Sequence, residues 1–276
     1  MMDSYSDIAG LEAAATAPGA GAEVWNALGQ ARLAAEDLAG AQKAFESALT
    51  RAVGQNDRAA QAIARGHLGV IAESLGRFGD AESQFRRSLK ISQAEDRKPG
   101  QASCHMKLGE IALKRRAYPD AARHFEAAHK LFTELGDQHG VVAATGDLGL
   151  VAKATGAYEV AEQALKRACK LAEDAGRIDA MAVTVNALAH LEADRGEPAK
   201  AESWFQSALQ LDRALGNQSG VLANLMAMGD LLNRHGEEDR ARELWIEARD
   251  LTPTVADPKL VGRVMQRLES LGLAER

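Results

Sequence analysis

Residues His67–Phe85 read HLGVIAESLGRFGDAESQF, a helical stretch that carries a glycine in its middle. Gly69 sits inside an apolar run of helical spacing, where glycine costs about 1 kcal/mol relative to alanine. Gly76 and Gly79 follow, and small Ala81 precedes large Phe85 by one helical turn. A helix keeps such a glycine when another helix must come close, so the stretch raises the question of what packs against it.

The answer comes from stepping outward by 40 residues. From Leu68-Gly69 the step finds Leu28-Gly29, Leu108-Gly109, Leu148-Gly149, Leu188-Ala189 and Met228-Gly229. From Ala81 it finds Ala41, Ala121, Ala161, Ala201 and Ala241, and four residues later Phe45, Phe85, Phe125, Leu165, Phe205 and Trp245. Ile91, Leu131, Leu171, Leu211 and Leu251 form a further column. Gly76, Gly156, Gly196 and Gly236 mark a hairpin turn, with Glu36 and Arg116 in the same column. Six units in register signal a repeat architecture, in which each unit buries its apolar face on its neighbours.

Within a unit, turn signals divide the chain into a helix A, about 58–75 in the second unit, and a helix B, about 78–95. Gly136, Gly176 and Gly216 fall just past B helices, where a left-handed cap favours glycine. Asp57, Asp137 and Asn217 follow as N-caps. Pro119 and Pro198 stand at B-helix starts, and Asp257-Pro258 opens a last helix.

This pattern resembles the tetratricopeptide repeat: Trp25-x₂-Leu28-Gly29 followed by Ala41-x₃-Phe45, and Ala241-x₃-Trp245 ending at Pro253. The period of 40, with LGDQHGVVAATGDLG and LGNQSGVLANLMAMG, is similar to the long repeats of spindle-orientation adaptors and kinesin light chains. The resemblance implies an all-α fold, an α-α superhelix of six 40-residue helix-turn-helix repeats (22–257) closed by a C-terminal capping helix (258–276). It covers about residues 22–272. The chain departs from the subgroup in two columns. Only the first repeat has the tryptophan, and the ligand-holding Asn before Leu-Gly is Ala27, His67, Lys107, Asp147, Ala187 and Ala227, so the subgroup's ligands do not carry over. Residues 1–21 are read as an N-terminal segment, either a degenerate capping helix over 4–16, with Tyr5 and Leu11 in the Phe and Leu columns, or a disordered leader to the linker-like TAPGAGA.

Bulk composition agrees with an all-α chain: of 276 residues 4 % are aromatic, 26 % are charged and six are proline. A net charge of −6 speaks against a general nucleic-acid binder. No long apolar run or basic n-region occurs, which leads to an expectation of cytoplasmic location without membrane insertion. Alanine richness and arginine over lysine match a high-GC bacterial chain. Cys104 and Cys169 lack metal or redox spacing, His124 and His129 are five apart rather than four, and no nucleophile elbow or phosphate loop is present. Neither an enzyme nor a cofactor or metal site is expected.

A repeat scaffold works through residues that its packing does not need. The stripe beside Leu-Gly on each helix A is therefore the candidate partner-binding lining of a concave groove. It comprises Asn26 and Gln30, then His67, Val70 and Glu73, then Met106, Lys107, Glu110 and Lys114. Further along it includes Asp147, Leu150 and Lys153, then Asn186, His190 and Asp194, then Met226, Asp230, Asn233 and Arg234. Residues 61–140 hold 13 Lys/Arg against 10 Asp/Glu, the one positive stretch. Lys107 and Lys114 have two readings, contact with an acidic ligand residue or ion pairs with Glu110 and Glu73. The expected function is a non-enzymatic scaffold or adaptor that takes a peptide or helix of another protein. The alternatives are a self-assembling solenoid forming homo-oligomers, or a ligand- or peptide-sensing module of a regulatory system.

Overall fold

The computed structural model describes residues 8–273, and within them every regular element is helical. Two compact units result, divided between Asp137 and Gln138. The first holds α1 (Ile8–Thr16), α2 (Ala22–Ala34), α3 (Leu38–Gly54), α4 (Arg58–Ser74), α5 (Phe78–Ala94), α6 (Lys98–Lys114) and α7 (Tyr118–Leu135). The second holds α8 (Gln138–Ala154), α9 (Tyr158–Asp174), α10 (Ile178–Arg195), α11 (Pro198–Ala214), α12 (Gln218–Arg234), α13 (Glu238–Leu251) and α14 (Pro258–Ser270), with a 3₁₀ turn at Thr252–Thr254. Each helix packs on the next within its unit, as in an α-α solenoid of helix pairs.

Gly69 is explained by Phe85. A Cβ on Gly69 would stand 2.7 Å from the Phe85 ring, which comes from helix B of the same repeat and is 2 % exposed. The same ring-on-glycine contact joins Gly29 to Phe45, Gly109 to Phe125 and Gly229 to Trp245, while Gly149 receives Leu165. The glycine thus serves the pairing of A with B inside a repeat. Ala41, Ala81, Ala121, Ala161, Ala201 and Ala241 are all wholly buried, one turn before the large residue. Burying each large side chain contributes about 1.5–3 kcal/mol, which outweighs the helix-propensity cost of the glycine.

Turns follow the two glycine columns. Gly76, Gly156, Gly196 and Gly236 are left-handed, and so are Glu36 and Arg116 in the same column, both at φ 61°. The B-to-A turns repeat this, with Gly136, Gly176 and Gly216 joined by Asn56 (φ 53°) and Asp96 (φ 48°). The turn geometry is a property of the repeat, imposed even where the side chain resists it. Asp57 caps α4 through the Ala60 N–H, Asn217 caps α12 through Gly220, and Asp257 caps α14 through Lys259 and Leu260.

At the first unit's start, α1 lays Ile8, Leu11 and fully buried Ala15 against Leu28 and Ala44. The position of Tyr5 lies outside the described residues. In the second unit, α14 sets Val264 and Leu268 into a cluster with Leu222, Leu225, Trp245 and Ala248. Lys259, Arg263 and Arg267 are exposed. Cys104 is buried, which pushes its thiol pKa up, and Cys169 is half-buried; both are free thiols. Among the described residues no helix is long and apolar enough to cross a membrane.

Candidate functional site

In the first unit the stripe residues join neighbouring A helices. Gln30 Nε2 on α2 lies 3.0 Å from His67 Nε2 on α4 and donates to it, which places the imidazole proton on Nδ1. His67 also stacks on Phe45 with centroids 4.6 Å apart, and burial lowers its pKa, so the ring stays neutral. Glu73 on α4 holds Lys114 of α6 and stands 3.8 Å from Lys107, whose Nζ is 2.8 Å from Glu110. Both lysines are therefore engaged by carboxylates. Val70 packs against the Phe85–Leu108–Ile111 cluster, and Met106 is half-buried.

Asn26 departs from the expected lining. It stands one helical turn before Gly29, on the same face, and is buried with it at 6 % exposure; its Oδ1 has no partner. Met226, in the same 40-residue column, is buried at 8 %, whereas Met106 and Asn186 of that column are half-buried. Neither Asn26 nor Met226 offers its side chain to a ligand.

The second unit carries two openings that adjoin its A helices. A cavity of about 310 Å³ lies between α8 and α10, walled by Val142, Ala143, Leu150, Ala180, Val183 and Ala187. Its rim bears His139, Asp147 and a two-point ion pair in which Arg177 Nε and Nη2 hold Asp179 at 2.9 and 2.6 Å. Those hydrogen bonds bring the Asp179 pKa down to about 2. Val183 is 69 % exposed, although it is β-branched and apolar.

A second cavity, about 360 Å³, brings together His190, Asp194, Asp230, Asn233 and Arg234, with Phe205 as floor and Arg267 of α14 at its edge. Asp194 is neutralised by Lys153 at 2.9 Å and Asp230 by Arg267 at 3.0 Å. Arg234 makes no ion pair among the described residues and leaves this opening with an available cation. His190 sits edge-on to Phe205; burial foremost, then Lys153, lowers its pKa. Half-buried Asn186 of α10 donates to Asn224 of α12 at 2.7 Å.

Apart from Arg267, the polar residues of the second cavity stand in the stripe legible from the sequence, whereas of the first cavity's apolar walls only Leu150 does. Val183 was detectable in principle, because it shares a column with Glu23, Ser103, Ala143 and Ala223 that packing leaves open. Asp212 and Asn224, treated below, are polar intrusions into columns that are otherwise small or apolar, which was also legible.

A sequence model of the tetratricopeptide repeat matches residues 22–94 and 101–174, more than half of the chain, and the chain belongs to that family. No curated protein matches the sequence. Among solved structures it is similar to a tetratricopeptide repeat protein from Parabacteroides merdae (15 % identity, TM-score 0.69, covering 96 % of this chain and 91 % of that one). It is also similar to a Rap protein complexed with Competence and Sporulation Factor (14 %, 0.68, 97 % and 79 %) and to NprR in complex with its cognate peptide NprX (12 %, 0.67, 90 % and 72 %). At these identities the likeness is one of fold.

Proposed function

We propose that this tetratricopeptide repeat protein is a non-catalytic adaptor that captures an extended peptide segment of a partner protein along the helix-A face of its second unit. The observation that carries the reading is the pair of adjacent openings on α10. The apolar one, with exposed Val183, fits an apolar side chain. The polar one, with Arg234, Asn233 and His190, fits an acidic or polar group. Residues Val183–Ala187 and His190–Asp194 are about seven positions apart, or about 10 Å along the helix, a span that about three extended residues cover. Preformed helices lower the ordering cost on the protein's side. NprR, similar in fold, is named with a peptide ligand, which supports the same use of the scaffold here. In this reading residues 22–257 form the six-repeat binding body, with residues 1–21 and 258–276 at its ends. In the first unit, taken by itself, the corresponding stripe is Gln30, His67, Val70, Glu73, Met106, Lys107, Glu110 and Lys114.

The test is selection of binders from a phage-displayed random 12-residue peptide library on the full chain, followed by fluorescence polarisation with V183E and R234E. Both side chains are exposed, so both variants keep the fold. Loss of at least about tenfold in affinity in either variant supports the reading. Wild-type affinity in both, or no selected peptide, refutes it.

A further inference from the structure

One joint of the second unit buries a carboxylate where its counterparts in the preceding repeats carry alanine, serine or phenylalanine. Asp212, near the end of α11, is 5 % exposed, and among the described residues no cation pairs with its carboxylate. Instead Asn217 Nδ2 donates to its Oδ1 and Asn224 Nδ2 to its Oδ2, each at 2.7 Å. Asn224, 1 % exposed, turns its own Oδ1 to Asn186, whose Nδ2 donates at 2.7 Å. Gly220 is part of the arrangement, since a Cβ there would lie 2.4 Å from the Asp212 carboxylate carbon.

The repeat does not require these groups. Forty-residue steps place Ala52, Ser92, Phe132 and Ala172 where Asp212 stands, Ala60, Gly100, Gly140 and Ala180 where Gly220 stands, and Ala64, Cys104, Ala144 and Thr184 where Asn224 stands. Ala52 and Ala172 are wholly buried, so the joint closes without polar atoms. Burying an unpaired carboxylate costs free energy, and packing offers no return for it.

What the carboxylate does is impose direction. In its ionised form it only accepts hydrogen bonds. Asn224 must therefore point its Nδ2 at Asp212 and its Oδ1 at Asn186, and Asn186 must answer with an N–H. A half-buried asparagine on the binding face would otherwise choose its orientation by itself. Here its Oδ1 has no protein partner among the described residues. Its neighbours along α10 line the openings: Val183 and Ala187 the apolar one, His190 the polar one. Hydrogen bonds in series from a charge also polarise one another, which strengthens the outermost acceptor.

We infer that Asp212 is a positioning residue: through Asn224 it holds Asn186 with its side-chain carbonyl offered to the groove, where it recognises a backbone N–H of an extended peptide. The ligand half of this inference rests on the proposed peptide-binding groove; the relay itself does not.

Two measurements test the halves separately. In the ¹⁵N-labelled full-length protein, the side-chain amide resonances of Asn186 and Asn224 are followed in D212N and in N224T, the latter borrowing the residue of the preceding repeat. Both variants are expected to shift the Asn186 amide and speed its exchange with water, and either one folding suffices for the comparison. An Asn186 signal that stays in place while Asn224 moves in D212N overturns the relay. For the ligand, peptides selected from the 12-residue library are resynthesised with single backbone N-methyl groups. One position is expected to lose at least about tenfold in affinity to wild type, with that loss falling to under about twofold in N186A. A flat N-methyl profile overturns the donor assignment. A wild-type chain that selects no peptide overturns the groove reading and the donor assignment with it, while the amide resonances still decide the relay.

Discussion

Two glycines three residues apart on α4 are expected to respond to alanine with opposite signs. At Gly66 an added Cβ meets only the Ser88 hydroxyl, at 3.8 Å, so Gly66→Ala gains the helix propensity of alanine, about 1 kcal/mol. At Gly69 the same gain is available, yet the Cβ would stand 2.7, 2.8 and 2.9 Å from three atoms of the Phe85 ring, where ordinary contact begins at 3.4 Å. The ring must retreat by several tenths of an ångström, and it is walled by Ala72, Ala81, Leu108 and Ile111. Overpacking of this kind typically costs about 1–3 kcal/mol, which leaves Gly69→Ala net destabilised by up to about 2 kcal/mol. The propensity gain is common to both, so the two variants should differ by the overpacking cost, about 1–3 kcal/mol. In a chain of this size that is a gap of about 2–12 °C in Tm, read by circular dichroism. The fifth repeat carries Ala189 under Phe205, so an alanine is tolerated where the whole repeat is built around it. A Phe85→Leu background, which copies the Gly149–Leu165 pair, should shrink the cost of Gly69→Ala. If Gly69→Ala melts with or above Gly66→Ala, the ring-on-glycine account is wrong.

Three further outcomes are expected. Glu36→Gly and Arg116→Gly relieve side chains held at φ 61° and should each raise stability by about 0.5–1 kcal/mol in urea denaturation; a loss in both would show that the left-handed turns are not strained. Asp57→Ala removes the acceptor of the Ala60 N–H and should cost about 1 kcal/mol, with Asp57→Asn close to wild type, as read by the urea midpoint. Asp212 has its pKa raised by burial, against the pull of Asn217 and Asn224. Its ionised form is therefore disfavoured in the folded state, and its contribution is fully favourable below the unfolded value of about 3.9 and is lost as pH rises through the higher folded value. Wild-type stability minus that of Asp212→Asn should accordingly fall as pH rises from about 4; a difference that grows with pH would contradict the burial account.

The architecture was legible from the chain because its causes are local or strictly periodic. Helical spacing, Asp57 and Asn217 as caps, and the Gly76 and Gly136 turn columns act over a few residues. The 40-residue step then repeats the same joint, so Gly69 and Phe85 identify one another without coordinates. Even Glu36 and Arg116 were placed in the turn column by register alone, although their left-handed backbone was visible only in the fold.

The binding face was legible only as a stripe. Whether a stripe residue is open, paired or buried depends on which side chain arrives from a helix about 40 residues away, and periodicity does not encode that. Asn26 and Met226 are buried whereas Met106 and Asn186, in the same 40-residue column, stay half-buried, so the neighbouring helix and not the register decides. Glu73 engages Lys107 and Lys114 because α4 and α6 lie side by side. The two openings on α10 and the run from Asp212 to Asn186 exist only where three helices meet. The sequence by itself determined the period, the helix pairs and the residues that fill the joints, since these follow from spacing along one chain. Tertiary structure alone decided which polar groups face one another, since that requires the distances between helices.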